Sequence, residues 1–176
     1  MGRLQSNLDF RCMAFTYKFR DLLLPRRKLL EEVGIRPGST VLDYGCGPRS
    51  YIPTTAELVG ETGRVYALDI HPLTIEMGKN IASKKRLPNV ETILSDCETG
   101  LADESVDVVL LYDTLHVLED PNGVLRELRR VLKPDGILSF SDHHMKEDEI
   151  LAKVTGAGLF KLLNKGKRTY RFMKRE

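Results

Sequence analysis

The chain has 176 residues, of which 30% are charged and 41% hydrophobic, and its formal net charge is +2. That is the make-up of one globular domain long enough to bury a core, and it excludes a disordered or low-complexity chain. A charge this close to zero gives no argument for nucleic acid, and no apolar run approaches the roughly 18 residues of a membrane span.

Residues 16–33 read as helix, interrupted or restarted at Pro25, with Gly34 as its C-terminal cap and Pro37 beyond it. A strand follows at 40–44. A short helix spans roughly 51–59, and Gly60 and Gly63 frame the turn after it. The second strand is 64–69. Pro72 opens a helix to about Ser83, with Leu73, Met77 and Ile81 on one face. Residues 90–94 form the third strand. Residues 106–111 form the fourth, a continuous apolar run of the kind buried on both faces.

Pro121 opens the next helix. Its core stripe is Val124, Leu125, Leu128, Val131 and Leu132, while Arg126, Glu127, Arg129 and Arg130 face water. The fifth strand is 136–140, residues 146–157 are helical, and 159–164 and 169–173 pair as a hairpin around Lys165, Gly166 and Lys167. This order predicts an α/β fold, a doubly wound and mostly parallel sheet with helices on both faces. No repeat or linker divides the chain. Residues 1–34 are expected to form an N-terminal helical lid and 35–176 the sheet domain, one domain overall. Cys12, Cys46 and Cys97 are odd in number and lack CxxC spacing, which favours free thiols in a reducing compartment. With no apolar signal core among Arg3, Gln5, Asn7, Asp9 and Arg11, the chain reads as cytoplasmic.

The chemistry concentrates at Val41-Leu42-Asp43-Tyr44-Gly45-Cys46-Gly47-Pro48. An apolar run ends in an acid, and two glycines follow with one residue between them. That lets a buried strand turn sharply and a nucleotide-like ligand approach the backbone. A second apolar run, Val65 to Leu68, ends in Asp69, about 25 residues further on, a spacing suited to a ribose diol. The dinucleotide fingerprint wants a third glycine, but Ser50 stands there. Asp43 would repel a pyrophosphate, whereas a carboxylate there suits an ammonium group, such as the α-amino group of S-adenosylmethionine.

These residues resemble the class I S-adenosylmethionine-dependent methyltransferases, whose first motif reads roughly V-L-D-x-G-C-G-x-G. Further segments look like the family's other motifs and run in order. They are Ile35 to Thr40, Leu68-Asp69-Ile70-His71-Pro72, Ser95-Asp96-Cys97-Glu98, Asp103 to Val109 with Leu111 to His116, and Leu128 to Leu138. The resemblance covers about residues 35–140 and points to the small-molecule group that includes ubiquinone and menaquinone biosynthesis methyltransferases. It implies a Rossmann-like, seven-stranded sheet of order 3-2-1-4-5-7-6 with the last strand antiparallel. It also implies S-adenosyl-L-methionine as cofactor and S-adenosyl-L-homocysteine as product.

The same resemblance assigns roles. Asp43 and Gly45 would hold the amino-acid end of the cofactor, with Cys46 and Gly47 close by. Asp69 would accept the ribose hydroxyls, Ile70 and His71 would flank the adenine, and Asp96 would meet its exocyclic amine beside the Cys97 backbone. Leu111 and Tyr112 would lie near the methyl sulfonium. Candidate bases are His116, Asp113 and His143, with His144 adjacent; His116 is favoured, its alternative being a structural cap. Asp142 and the three histidines suit a metal chemically but lack a ligand-spacing motif, so no metal is expected. Arg49 stands where the family has a glycine. It clashes, swings outward or pairs with the cofactor carboxylate; the sequence leaves all three open.

The expected function is methyl transfer to a small molecule by a monomer or homodimer. One alternative is an RNA or protein methyltransferase using the basic tail, Lys161, Lys165, Lys167, Arg168, Arg171, Lys174 and Arg175. Another, suggested by Arg49 and the minimal lid, is a non-catalytic cofactor-binding subunit; the apolar cover available to that lid is Phe10, Met13, Phe15, Tyr17 and Phe19.

Overall fold

The computed structural model describes residues 26–48 and 51–176. The described residues form a seven-stranded sheet in the order β3-β2-β1-β4-β5-β7-β6. The strands are β1 (Thr40–Tyr44), β2 (Arg64–Asp69), β3 (Val90–Leu94), β4 (Val106–Tyr112), β5 (Leu132–Ser141), β6 (Phe160–Lys165) and β7 (Tyr170–Lys174). β1 to β5 pair in parallel, and β7 is antiparallel to both β5 and β6. The expected order and the antiparallel last strand are both present.

Period-two alternation builds the two faces. On one side Leu42, Tyr44, Val109, Leu111 and Phe140 pack with Val124, Leu125 and Leu128 of α4 (Pro121–Val131) and with Ile150 and Val154 of α5 (Glu147–Thr155). On the other, Val41, Val65, Val108 and Leu110 meet Leu30 and Val33 of α1 (Arg26–Val33) and Ala56 and Val59 of α2 (Ile52–Val59). The remaining helix, α3 (Pro72–Lys85), packs beside α2 on β2 and β3. The chain leaves β1 outward to β2 and β3 and then returns to β4, so the sheet switches direction between β1 and β4. Such a point opens a crevice beyond the strand ends.

Three expectations change. Helix α3 buries Thr74, Ile75 and Gly78, while Leu73, Met77 and Ile81 are only partly covered. The reason is close approach: a methyl on Gly78 would lie 3.1 Å from Thr92 Cγ2. Strand β5 begins at Leu132, not at Gly136, so Leu132 is a strand residue rather than the end of a helical stripe. Its register slips against β4, with Val106 opposite Leu132 and Val108 opposite Ile137. Lys133 Nζ bonds Asp107 Oδ1 at 2.6 Å and so pins the bulge. Glu127 and Arg130 do not simply face water. Glu127 accepts from the Thr99 amide and hydroxyl and from Arg130, whose guanidinium also reaches Asp103 and the Leu101 carbonyl. Finally, only residues 26–33 of the expected first helix are described; the lid residues Phe10 to Phe19, Cys12 and Arg49 lie outside the described residues.

Helix α1 is fastened to the far end of the chain. Glu32 Oε2 accepts from the amides of Arg168 and Thr169, at 3.0 and 3.2 Å, and from the Thr169 hydroxyl at 3.1 Å.

Candidate cofactor site and the loops beside it

Strand β1 delivers Asp43, 2% exposed, to the switch point. The chain then turns through Gly45 (φ +72°) and Gly47 (φ +53°). The Gly45 and Cys46 amides both donate to the Leu68 carbonyl, at 2.8 and 2.9 Å, which ties this loop to the end of β2. A methyl on Gly45 would lie 2.6 Å from Thr114 Cγ2 and nearer still to its Oγ1, so this glycine is also needed for space. Among the described residues, a methyl on Gly47 would meet only the Gly45 carbonyl oxygen, at 3.8 Å. That leaves its backbone open to an approaching group.

Asp69 ends β2 beside this loop. Its Oδ2 accepts the Gly47 amide at 2.9 Å and its Oδ1 accepts the His71 amide at 2.8 Å. Burial raises the Asp69 pKa, and these two amides and His71 oppose that shift. A carboxylate has about four acceptor positions, so the two amides do not saturate it and Thr74 lies beside it as a further donor. His71 caps α3, its Nδ1 accepting the Leu73 amide at 3.2 Å. Ile70 beside it is 39% exposed, an apolar surface at the mouth of the crevice. Asp96 is exposed on the loop after β3, and the Cys97 amide donates to Ser95 Oγ at 3.3 Å. Burial pushes the Cys46 and Cys97 thiols up, away from thiolate chemistry.

One contributor escaped the sequence reading. Tyr44 extends its hydroxyl to the Asp96 carbonyl at 3.3 Å and so supports the loop that carries Asp96 and Cys97. Burial raises its pKa far above the phenol range, so it stays a donor. Its place between Asp43 and Gly45 was the available signal.

At the end of β4, Leu111 and Tyr112 are buried, and Tyr112 shares a 2.8 Å hydrogen bond with Ser139 Oγ. Asp113 has φ +51°, and its amide donates to the Ser141 carbonyl at 2.8 Å. The next residues form a single 3-10 turn, Leu115–Val117. Here the candidate bases come together in pairs. His116 Nδ1 is 2.8 Å from Asp142 Oδ2. Asp113 Oδ1 meets both the ring Nδ1 and the amide of His143. The His144 ring lies between the other two, 4.4 Å from His116 and 3.8 Å from His143 by centroid. Asp113 and His143 are therefore one hydrogen-bonded pair. Among the described residues no group of three or more His, Cys, Asp or Glu is arranged to hold a metal ion. Several cations of the basic tail are engaged within the chain: Lys165 with Glu147, and Lys174 with Glu104 at 3.3 Å.

The donor set fits S-adenosylmethionine: a buried acid at the end of β1, an open glycine backbone and a clamped acid at the end of β2, with no third glycine for a pyrophosphate. A family model described as a methyltransferase domain matches residues 35–173. The chain belongs to the class I S-adenosylmethionine-dependent methyltransferases. Among solved structures of this family, an S-adenosylmethionine-dependent methyltransferase from Aquifex aeolicus superposes with a TM-score of 0.78 at 27% identity, over 92% of this chain and 97% of that one. The ubiquinone/menaquinone biosynthesis C-methyltransferase UbiE of Shewanella sp. (strain W3-18-1) is 30% identical over 142 residues, 80% of this chain and 57% of UbiE. An uncharacterized 37.1 kDa protein in transposon TN4556 of Streptomyces fradiae is 37% identical over 111 residues, 62% of this chain and 32% of that protein. The chain thus spans from about a third to just over half of the length of these two curated relatives.

Proposed function

We propose that this chain transfers the methyl group of S-adenosyl-L-methionine to a small-molecule acceptor in the cytoplasm, as a monomer or homodimer. The observation that carries this reading is the Asp69 carboxylate, aimed by the Gly47 and His71 amides at the end of β2 beside the glycine loop. The name of the Shewanella relative, a C-methyltransferase of quinone biosynthesis, favours a small acceptor.

The cofactor supplies a methyl carbon already activated by positive sulfur. The chain supplies placement and desolvation. Asp43 receives the α-amino group by charge, and the Gly45–Gly47 backbone allows close approach of the amino-acid portion, with Cys46 turned into the core. Asp69 accepts both ribose hydroxyls. Ile70 and His71 cover the adenine, and Asp96 accepts from its exocyclic amine next to the Cys97 backbone. The backbone at Leu111 and Tyr112 lies near the reacting carbon, their side chains being buried in the core on either face of the sheet. His116 is the general base, and the Asp113–His143 pair borders the acceptor side.

Calorimetric titration tests this. S-adenosylmethionine and S-adenosylhomocysteine should bind, and NAD should not. Asp69→Ala removes charge-assisted hydrogen bonds and should weaken both by about 1.5–3 kcal/mol, roughly ten- to hundredfold. Undiminished affinity in that variant would place the ribose elsewhere.

A further inference from the structure

The loops after β4 and β5 are stitched together in both directions. A carboxylate from the first, Asp113, holds an imidazole of the second, His143. A carboxylate from the second, Asp142, holds an imidazole of the first, His116. The two pairs differ in burial. The His143 side chain is 44% exposed, whereas the Asp142 side chain is fully covered and His116 is 24% exposed. Asp142 Oδ1 accepts the His144 amide at 3.0 Å, which leaves Oδ2 for His116 Nδ1 at 2.8 Å. Burying a carboxylate is costly unless its partners hold it, and here an amide and an imidazole do so. An ionised carboxylate only accepts, so the proton between the two groups belongs to Nδ1, and the lone pair of the neutral ring sits on Nε2. His116 lies two residues after Thr114, whose side chain packs against Gly45, so the pair stands beside the proposed cofactor cradle.

We propose that Asp142 is a positioning residue that fixes His116 in the Nδ1–H tautomer, with Nε2 set to take a proton from the methyl acceptor. The acceptor class follows: a molecule with a removable proton on its attacking atom, such as a phenol, alcohol or enol, rather than a thioether or tertiary amine. This rests on the methyl-transfer reading above. In the step, the electron pair of the acceptor's X–H bond becomes available as the proton moves to His116 Nε2. An X–CH3 bond forms, the S–CH3 bond breaks with its pair left on sulfur, and the sulfonium becomes a neutral thioether. The positive charge then resides on the His116 imidazolium beside the Asp142 carboxylate, until water takes the proton.

The test needs no acceptor. Long-range nitrogen–proton correlation spectra of the full chain, 15N-labelled at histidine and recorded at about pH 9, above the ordinary imidazole range, report each tautomer directly. His116→Gln assigns the resonances. His116 should be the Nδ1–H form in the wild type. Asp142→Asn should shift it measurably towards Nε2–H, and Asp113→Asn should move His143 but leave the His116 tautomer unchanged. A wild-type His116 already protonated on Nε2 would be a donor, and the proposal and its acceptor class would fall. So would a tautomer indifferent to Asp142→Asn. If that variant does not fold, the wild-type spectrum alone decides. Parallel titration with S-adenosylhomocysteine separates the two readings: no binding removes the cofactor assignment, while the tautomer result stands on its own.

Discussion

Gly45→Ala is the perturbation whose cost follows most directly from the geometry. The added methyl would sit 2.6 Å from Thr114 Cγ2, closer to Oγ1 and 3.1 Å from Cβ. Thr114 has little freedom to retreat, because it is β-branched and its hydroxyl donates to the Tyr112 carbonyl at 2.9 Å. Forcing that contact costs about 1–3 kcal/mol. Alanine at φ +72° adds about 1–2 kcal/mol of left-handed strain. Loss of glycine's freedom in the unfolded chain offsets about 0.4–1 kcal/mol. The net destabilisation is about 2–4 kcal/mol, or a fall in melting temperature of about 4–16 °C for a chain of this size. Thr114→Ala alone forfeits one hydrogen bond, about 1 kcal/mol. Combined with Gly45→Ala it also removes the two closest clashing atoms, so urea unfolding of the four proteins should give a coupling of about 1–3 kcal/mol in favour of the double variant. Additive costs would mean that Thr114 does not press on Gly45 and that the loops after β1 and β4 are not packed as described.

Two further outcomes follow from the polar contacts. Arg130 first, helped by Thr99, holds the Glu127 carboxyl at a pKa of about 2, below its ordinary 4.5. A depressed folded-state pKa stabilises fully above about pH 5, and that contribution fades as pH falls towards 2. With Arg130 partly in water, Glu127→Gln should cost about 1–2 kcal/mol at pH 7, and the gap between the urea midpoints of the two proteins should roughly halve by about pH 3 and close only below about pH 2. A constant gap would contradict the ionic origin. At the buried Tyr112–Ser139 pair, Tyr112→Phe or Ser139→Ala should each cost about 1–3 kcal/mol by stranding the other hydroxyl. The double variant should cost less than their sum, and strict additivity in denaturation would count against the bond.

The strands that were legible, 40–44, 64–69 and 90–94, are apolar runs punctuated by glycine, proline or acid, where local signals agree with the sheet. Strand β5 was read short because Pro134, Asp135 and Gly136 look like a turn; in the sheet they form a bulge, which only pairing with β4 defines. The buried face of α3 was hidden because Thr74 and Gly78 carry no apolar signal, and their burial comes from proximity to neighbours such as Thr92. The placing of Asp43, Gly45 and Asp69 at neighbouring strand ends was legible from spacing, because strand ends and turns are local. The His116–Asp142 pair could not. It spans 26 positions and exists because Tyr112 lies opposite Ser141 in the sheet, which sets the following residues of both loops side by side.

The Glu32 clamp has a bearing on how the chain is made. Its partners, Arg168 and Thr169, are 136 and 137 residues downstream. At roughly 5–20 residues per second, about 7–27 seconds of synthesis separate the acceptor from its donors. Helix α1 holds its place by packing Leu30 and Val33 against the sheet. A chain stopped before its final hairpin would therefore leave Glu32 of this helix without the donors that fasten it. Loss of the last turn would be felt first at the opposite terminus, so limited proteolysis near residue 30 would report whether the hairpin near residue 168 has closed.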